Sequence, residues 1–173
     1  MSRVVLSIGS NLGDRLARLQ SVVDALGDRI RAVSPVYETD PWGGVDQGAF
    51  LNAVVIAEDP ELDGHGWLHF AQGLEKAADR MRGQKWGPRT LDVDLVTVHD
   101  GPTELISRDE GLTLPHPLAH LRAFVLIPWL ATDPEAGLTV NGTVQQVSRL
   151  LDCLGPADRD AVRLTPLVLG VDS

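Results

Sequence analysis

Two aspartates, Asp92 and Asp94, stand two residues apart in an apolar stretch that has the composition of a β-strand. Successive strand side chains point to opposite faces, so Leu91, Val93 and Leu95 share one face and the two aspartates share the other. Aspartate is depleted in strands, and paired carboxylates are ligands that Mg²⁺ takes together with water and phosphate oxygens. The pattern therefore predicts a magnesium site for phosphoryl chemistry. A solvent-facing edge strand is the structural alternative.

The stretch just before this strand is rich in cations, with five of them in fourteen residues and one acid, Asp79, among them. Arginine binds phosphate oxygens through its planar donor fork. A solvated helix end, where the dipole favours positive charge, is the alternative. Because these cations directly precede the aspartate pair, phosphate binding is the favoured interpretation. The five are Lys76, Arg80, Arg82, Lys85 and Arg89.

Two further positions have side chains that could contact a small molecule. Phe50 and Asn52 fall on one side of a predicted strand, where the ring could support a flat heterocycle and the amide could bind its polar edge. An amide that satisfies a nearby loop backbone is an equal alternative. His116 stands between Pro115 and Pro117, which hold the backbone extended. Its imidazole could bind phosphate or cap a turn.

Other residue patterns argue against a zinc or disulfide protein. His65 and His69 have the i, i+4 spacing of a zinc pair, but no glutamate follows His65 and the sequence supplies no third ligand nearby. The single cysteine, Cys153, excludes an internal disulfide and a cysteine-based zinc cage.

The bulk properties indicate an ordinary globular domain. With 173 residues the chain is expected to form a single domain over residues 1–173. Its net charge of −9 and pI near 4.9 argue against nucleic acid or an anionic membrane as a partner. The sequence has no apolar run of eighteen residues and no signal-peptide pattern, so we expect a cytoplasmic protein.

Hydrophobic periodicity predicts the elements that position these residues. Alternation indicates strands, and apolar residues every three or four positions indicate helices. The order strand-helix-strand-strand-helix-strand predicts a ferredoxin-like α+β sandwich, mainly an antiparallel sheet with helices packed on it. The predicted elements are strands at 4–8, 31–37, 50–57 and up to 98, helices at 16–26 and 65–81, and loops at 39–48 and 83–88.

The second half of the chain has weaker patterns. A hairpin turn at His99-Asp100-Gly101 predicts a strand at 103–106. The stretch 118–130 is expected to be partly helical, and 145–154 is predicted to be a short helix. Residues 162–171 are weakly strand-like.

These motifs together resemble the 6-hydroxymethyl-7,8-dihydropterin pyrophosphokinase family of the folate pathway. The similarity extends over nearly the whole chain, through residues 8–13, 50–53 and 114–117. Its most specific part is Trp86-Gly87-Pro88-Arg89-Thr90-Leu91-Asp92-Val93-Asp94, which looks like the family signature. The resemblance implies an ATP- and Mg²⁺-dependent enzyme that transfers pyrophosphate from ATP to the pterin hydroxymethyl oxygen and releases AMP.

The resemblance also implies roles for individual residues. Two Mg²⁺ ions are expected to bind between Asp92 and Asp94. These two aspartates are expected to be catalytic, together with Arg80, Arg82 and Arg89. The expected pterin contacts are Thr39, Trp42, Phe50, Asn52, Asp92 and Phe124. The expected ATP contacts are Leu68, Gln72, Glu75, Arg82, Trp86, Arg89, Leu95, Thr113, His116 and Arg122.

The resemblance implies that the partners are ATP and a reduced hydroxymethylpterin. We expect no nucleic acid or membrane partner, and we expect a monomer or a weak dimer. Two other functions use the same fold plan. A palm-type nucleotidyltransferase also combines paired aspartates, metal and ATP, but it releases pyrophosphate where the pyrophosphokinase releases AMP. A non-catalytic ligand-sensing module would not require two aspartates beside five cations.

Overall fold

The chain folds around a seven-stranded antiparallel sheet. The structure is a computed structural model that describes residues 2–40, 48–82 and 91–171, with residues 80–82 described by their backbone. The strands in these ranges are β1 (Ser2–Ser10), β2 (Ile30–Val33), β3 (Tyr37–Thr39), β4 (Phe50–Asp59), β5 (Asp92–Asp100), β6 (Thr103–Glu104), β7 (Ser107–Asp109), β8 (Leu112–Leu114), β9 (Gly137–Val140), β10 (Thr143–Gln146) and β11 (Val162–Leu164). The helices are α1 (Arg15–Leu26), α2 (Gly64–Arg82), α3 (Ala123–Thr132), α4 (Val147–Asp152) and α5 (Pro156–Asp160).

Local sequence explains the first helix. Its buried residues recur at helical spacing and form one face of α1. The Asp14 side chain caps the helix by accepting a hydrogen bond from the Ala17 N–H (3.1 Å). Gly27, at φ 58°, ends the helix in a conformation that favours glycine.

The strand order of the main sheet is β11-β3-β4-β1-β5-β6, and β2 also pairs with β4. Helix α1 carries the chain from β1 past β4 to β2 and β3, and α2 carries it from β4 past β1 to β5. Neighbouring strands are therefore antiparallel, although each helix joins strands that run in the same direction. This arrangement confirms the predicted ferredoxin-like α+β fold.

Both faces of the sheet are covered. Helices α1 and α2 pack on one face, where Leu6, Ile8 and the fully buried Trp67 belong to one core cluster. Helices α3 and α4 pack on the other face, where Val54 and Trp129 belong to a second cluster. None of the helices in the described ranges is long and apolar enough to cross a membrane.

Apolar residues set the direction in which the two aspartates of β5 point. Val93 and Leu95 are buried on the α1/α2 side, and Val96 is buried on the α3/α4 side. Asp92 and Asp94 alternate with Val93 and Leu95, so they point to the α3/α4 side as predicted. A slip of one residue would turn both carboxylates into the α1/α2 core, so burial of the apolar pair fixes their direction.

The predicted single strand at 31–37 is wrong, because the structure has two strands, β2 and β3, in this stretch. Between them, Ser34 bonds to β4 through its backbone N–H, which donates to the Val54 carbonyl (2.9 Å). The Ser34 hydroxyl in turn accepts from the Val54 N–H (2.9 Å). Pro35 follows and has no N–H to donate, so the ladder is interrupted there.

The predictions for the second half have mixed outcomes. The stretch 118–130 is partly helical as predicted, with a 3₁₀ turn at Ala119–Leu121 before α3, whereas the strand expected at 162–171 is limited to β11. The hairpins β7–β8 and β9–β10 were not predicted. Their strands have three or four residues, which is too short for a clear alternation of apolar and polar side chains.

Candidate active site

Three strands bring polar and small residues together on the α3/α4 side of the sheet. In one row across the strands, Gly9 of β1 pairs with Asn52 of β4 on one side and with Asp92 of β5 on the other. In the next row, Ser7 of β1 pairs with Asp94. Directly paired residues in antiparallel strands point to the same face, so the amide and both carboxylates share one surface.

This surface is the floor of a cavity of about 470 Å³. Its lining contains seven of the side chains that sequence analysis assigned to ligands: Thr39, Phe50, Asn52, Asp92, Asp94, Arg122 and Phe124. The cavity thus joins the predicted metal-binding pair to most of the predicted pterin contacts. Sequence analysis missed five further lining residues: Ser7, Gly9, Asp40, Leu118 and Leu121.

The Asn52 side chain occupies the space next to the Gly9 Cα atom. A Cβ atom on Gly9 would lie 2.7 Å from the Asn52 side-chain nitrogen, closer than real Cβ atoms approach other atoms. Glycine is therefore required at this position for close packing rather than for a positive φ. A signal for it was present in the sequence as a glycine within a strand, which often marks close approach of a ligand or another group.

Two buried polar atoms on the cavity wall have no hydrogen-bond partner among the described residues. They are the side-chain oxygens of Asn52 and Thr39, whose residues are 4% and 5% exposed. An unsatisfied buried polar group costs about 1–3 kcal/mol. A ligand that donates hydrogen bonds to these oxygens would recover that cost, so the pair favours a ligand with a polar edge.

Aromatic rings form two of the cavity walls. Phe50 begins β4, and Phe124 lies in the first turn of α3. The Arg122 guanidinium stands over the Phe124 ring, 5.6 Å from its centroid, in a cation–π contact. The walls can therefore hold a flat ring, with a cation at the edge of the same cavity.

His116 is held beside the cavity by two backbone hydrogen bonds. Its N–H donates to the Val96 carbonyl (2.9 Å), and its ring Nδ1 accepts from the Leu118 N–H (3.1 Å). When the imidazole is neutral its proton is therefore on Nε2, which can donate to an anion. Burial lowers the pKa of His116; the charge of Asp94 opposes that shift, and the charge of Arg122 adds to it.

The lowered pKa of His116 predicts a pH-dependent loss of stability. The unfolded chain binds the proton more readily than the folded protein, so the free energy of unfolding should fall as the pH drops below the ordinary histidine pKa of 6.5. His116→Asn does not titrate, and its side-chain oxygen can still accept from the Leu118 N–H. Between about pH 7.5 and pH 5.5 the variant should lose less unfolding free energy than the wild type in urea titrations. Equal losses would contradict the prediction.

The remaining expected ATP contacts lie away from the cavity lining. Leu68 and Gln72 are on α2, and Thr113 is exposed on β8. Leu95 is buried in the α1/α2 core, with Leu68 packed against the same cluster. The Glu75 carboxylate accepts a hydrogen bond from the β5 backbone, at the Val93 N–H (3.0 Å).

Six predicted residues have side chains outside the described part of the structure. Arg80 and Arg82 belong to the last turns of α2, which ends ten residues before Asp92. Trp42, Lys85, Trp86 and Arg89 lie outside the described residues. Their roles stay predictions.

The side chains at the aspartate pair suit Mg²⁺ better than they suit a metal ion that is ligated entirely by protein side chains. Within the described ranges, no group of three or more histidine, cysteine, aspartate or glutamate side chains is placed to hold a metal ion. Mg²⁺ is commonly bound by one or two carboxylates, with water and substrate phosphates completing its shell. Asp92 and Asp94, side by side on a cavity wall, supply that number of carboxylates.

Comparisons with known proteins point to one family. A sequence model described as 7,8-dihydro-6-hydroxymethylpterin-pyrophosphokinase (HPPK) matches residues 5–134. The chain is similar to the 2-amino-4-hydroxy-6-hydroxymethyldihydropteridine pyrophosphokinase of Mycobacterium tuberculosis, with 63% identity over 169 residues that cover 95% of this chain and 90% of that protein. The protein of the same name from Methylorubrum extorquens is 41% identical over 160 residues, covering 90% of this chain and 97% of that protein.

Solved structures show the same fold at lower identity. Wild-type HPPK-DHPS from Plasmodium falciparum superposes with a TM-score of 0.62 and 14% identity, covering 87% of this chain and 44% of that chain. The chain thus spans less than half the length of the Plasmodium protein, and the likeness shows the fold alone.

Proposed function

Because the chain belongs to the 7,8-dihydro-6-hydroxymethylpterin-pyrophosphokinase family, we propose that it transfers pyrophosphate from ATP to 6-hydroxymethyl-7,8-dihydropterin in folate biosynthesis. The products are the pterin diphosphate and AMP. One observation supports this reaction most directly. The two carboxylates of β5 and the Asn52 amide of β4 lie on the floor of one cavity, on opposite sides of Gly9. The carboxylates form the phosphate side of the cavity, and the amide forms its pterin side.

The pterin is proposed to stack between Phe50 and Phe124, with its polar edge on Asn52 and Thr39. The unsatisfied oxygens of these two polar residues can accept from the amino and ring N–H groups of a pterin. Trp42 and Asp92 complete the proposed pterin contacts. The hydroxymethyl group then lies toward the carboxylates.

The chemical step is an in-line displacement. The hydroxymethyl oxygen forms a bond to the β-phosphorus of ATP, and the bond between that phosphorus and the oxygen bridging to the α-phosphorus breaks. AMP leaves with the bridging oxygen, and the hydroxyl proton is released. Positioning and charge stabilisation by the enzyme account for most of the acceleration in reactions of this type.

Asp92 and Asp94 are the residues that would hold two Mg²⁺ ions, and the ions would neutralise charge on phosphate oxygens. Arg122 and the Nε2–H of His116 are proposed to bind the triphosphate, together with Arg80, Arg82 and Arg89. Leu68, Leu95 and Thr113 are proposed to surround the adenine, with Gln72, Glu75 and Trp86 as further ATP contacts.

Gly9→Ala should weaken pterin binding. The added methyl group would displace the Asn52 amide, from which it would lie 2.7 Å, and the amide would leave its binding position. We expect the pterin dissociation constant to rise by about tenfold and the unfolding free energy to fall by about 1–3 kcal/mol. Fluorescence titration of the pterin and urea unfolding measure the two effects.

Gly73→Ala is the matched control for this variant. A Cβ atom on Gly73 meets open space on the exposed side of α2, so alanine should stabilise the helix by about 0.5–1 kcal/mol. Its pterin affinity should equal that of the wild type. A Gly9→Ala protein with unchanged pterin affinity would contradict the placement of the pterin beside Asn52.

The decisive experiment mixes the protein with ATP, Mg²⁺ and reduced hydroxymethylpterin and follows the nucleotide products. AMP and the pterin diphosphate are expected in equal amounts. Release of pyrophosphate would instead indicate nucleotidyl transfer, and absence of pterin-dependent ATP consumption would favour a ligand-sensing module. Neither alternative is favoured by the family match.

The proposal takes residues 1–173 as one catalytic domain, since both core clusters pack against the same sheet. The cytoplasmic location and the monomeric or weakly dimeric state stay predictions.

A further inference from the structure

The last strand of the sheet lies beyond the part of the chain that the family model matches. That match ends at residue 134, whereas β11 covers Val162–Leu164. Strand β11 pairs with β3, and the register places Val162 opposite Thr39 and Arg163 opposite Glu38. Without β11, the three-residue β3 would be the exposed edge of the sheet. A late segment of the chain therefore supports the strand that carries Thr39 to the cavity.

Arg163 extends this support to the cavity rim. Its guanidinium forms two parallel hydrogen bonds with the Asp40 carboxylate, at 3.0 and 2.9 Å. The Asp40 N–H also donates to the Ala161 carbonyl (3.1 Å). The hydrogen bond from Arg163 holds the pKa of Asp40 below its ordinary value. Both the backbone and the side chain of Asp40 are therefore hydrogen-bonded to residues 161–163, and Asp40 lines the cavity.

The same arginine belongs to a longer chain of charges. One Arg163 nitrogen also reaches the Glu38 carboxylate at 3.5 Å, and the other oxygen of Glu38 accepts from Arg15 at 3.3 Å. The nitrogen of Arg15 that makes this bond also donates to the Ala49 carbonyl (2.8 Å), directly before β4. The charges of α1, β3 and β11 are thus linked in one network, which reaches the cavity lining through Asp40.

Energetics limit what this network can do. Arg163 and Asp40 are both about half exposed, and single exposed ion pairs contribute little to global stability. Bidentate geometry and membership in a network are the conditions under which such pairs matter. The expected effect is therefore local: the network orders one wall of the cavity while the core clusters hold the fold.

We propose that Arg163 is a positioning residue for the pterin: through Asp40 and β3 it fixes the wall of the cavity that carries Thr39. This inference rests on the proposed function, because it assigns the pterin to that wall. It gives the segment after the family match a role in substrate binding. None of the side-chain hydrogen bonds that Arg163 forms with the described residues reaches β5 or His116, on the nucleotide side of the site.

The test is Arg163→Met, studied by separate titrations of the two substrates. The reduced pterin is titrated in the presence of α,β-methylene ATP, whose bridge cannot be cleaved, and that analogue is then titrated alone. We expect the pterin dissociation constant to rise roughly 3- to 10-fold while the nucleotide constant stays unchanged. Amide hydrogen exchange should become faster at Val36 to Asp40.

Three further tests separate positioning from general damage. Arg159→Met removes a similar charge from α5, outside the network, and should leave the pterin constant unchanged. In an Asp40→Asn background, Arg163→Met should add little further loss, because Asp40 is the partner through which Arg163 reaches the cavity lining. Arg163→Lys should restore only part of the affinity, since lysine lacks the planar fork.

The inference is overturned if Arg163→Met binds pterin as the wild type does, or if pterin and nucleotide affinities fall together with the melting temperature. A wild-type protein that forms no AMP from ATP and pterin would instead refute the proposed function. The two failures are distinguishable because the second appears without any substitution.

Discussion

Replacing Asp92 or Asp94 by asparagine is expected to lower kcat by about 10³-fold or more with ATP, Mg²⁺ and the reduced pterin as substrates. Asparagine keeps the size of the side chain but removes the negative charge that holds a hard divalent cation. Both residues lie on the cavity wall and are only partly buried, so the fold should be retained. Single-turnover formation of AMP measures the chemical step directly.

A magnesium titration distinguishes loss of metal binding from general damage. Each variant should require more Mg²⁺ for half-maximal rate, whereas pterin binding by Asp94→Asn should change little. Asp100→Asn is the control, because Asp100 is exposed at the other end of the same strand. Near-normal turnover by both active-site variants at low Mg²⁺ would exclude the proposed metal role.

Asn52→Leu is expected to separate stability from binding. The Asn52 oxygen is buried without a partner among the described residues, so an apolar side chain of similar shape should leave the unfolding free energy unchanged or raise it. The pterin, in contrast, loses the group proposed to bind its polar edge. Its dissociation constant should rise by about 10- to 100-fold, which corresponds to one lost buried hydrogen bond with the partner left unpaired.

A second buried oxygen supplies the control for Asn52→Leu. The Thr97 hydroxyl is also buried without a partner among the described residues, but Thr97 lies outside the cavity lining. Thr97→Val should therefore have the same effect on stability and none on pterin affinity. Thermal unfolding and fluorescence titration of both variants give the comparison. If Asn52→Leu bound pterin normally, the polar edge of the pterin would have to lie elsewhere.

The two helices that cross the sheet were predictable because their signals are local. The apolar residues of α1 and α2 recur at helical spacing, and Gly27 marks the end of α1. The split of 31–37 into β2 and β3 was missed although Pro35 was visible, because the alternating pattern outweighed a single proline. The hairpins β7–β8 and β9–β10 are held by pairing between very short strands, which leaves little periodic signal.

The candidate site also contains some residues that local sequence predicts and others that it does not. Asp92, Asp94, Phe50 and Asn52 were identified from alternation within single strands, and the structure places all four on the cavity. Ser7 and Asp40 were missed, since nothing in the sequence around them indicates a ligand, and Gly9 was missed although a glycine at a strand was a signal. Their importance comes from neighbours more than forty residues away in sequence, or more than one hundred in the case of Asp40 and Arg163.

Alternation along β5 was enough to specify that two carboxylates point away from Val93 and Leu95, because strand periodicity is a property of the local backbone. The signature around them was enough to indicate the family. Two other features follow from the register of strands that are distant in sequence. Gly9 separates these carboxylates from Asn52, and Arg163 ties Asp40 to the last strand. Register depends on how both faces of the whole sheet bury their apolar residues, so it emerges only when the chain is folded.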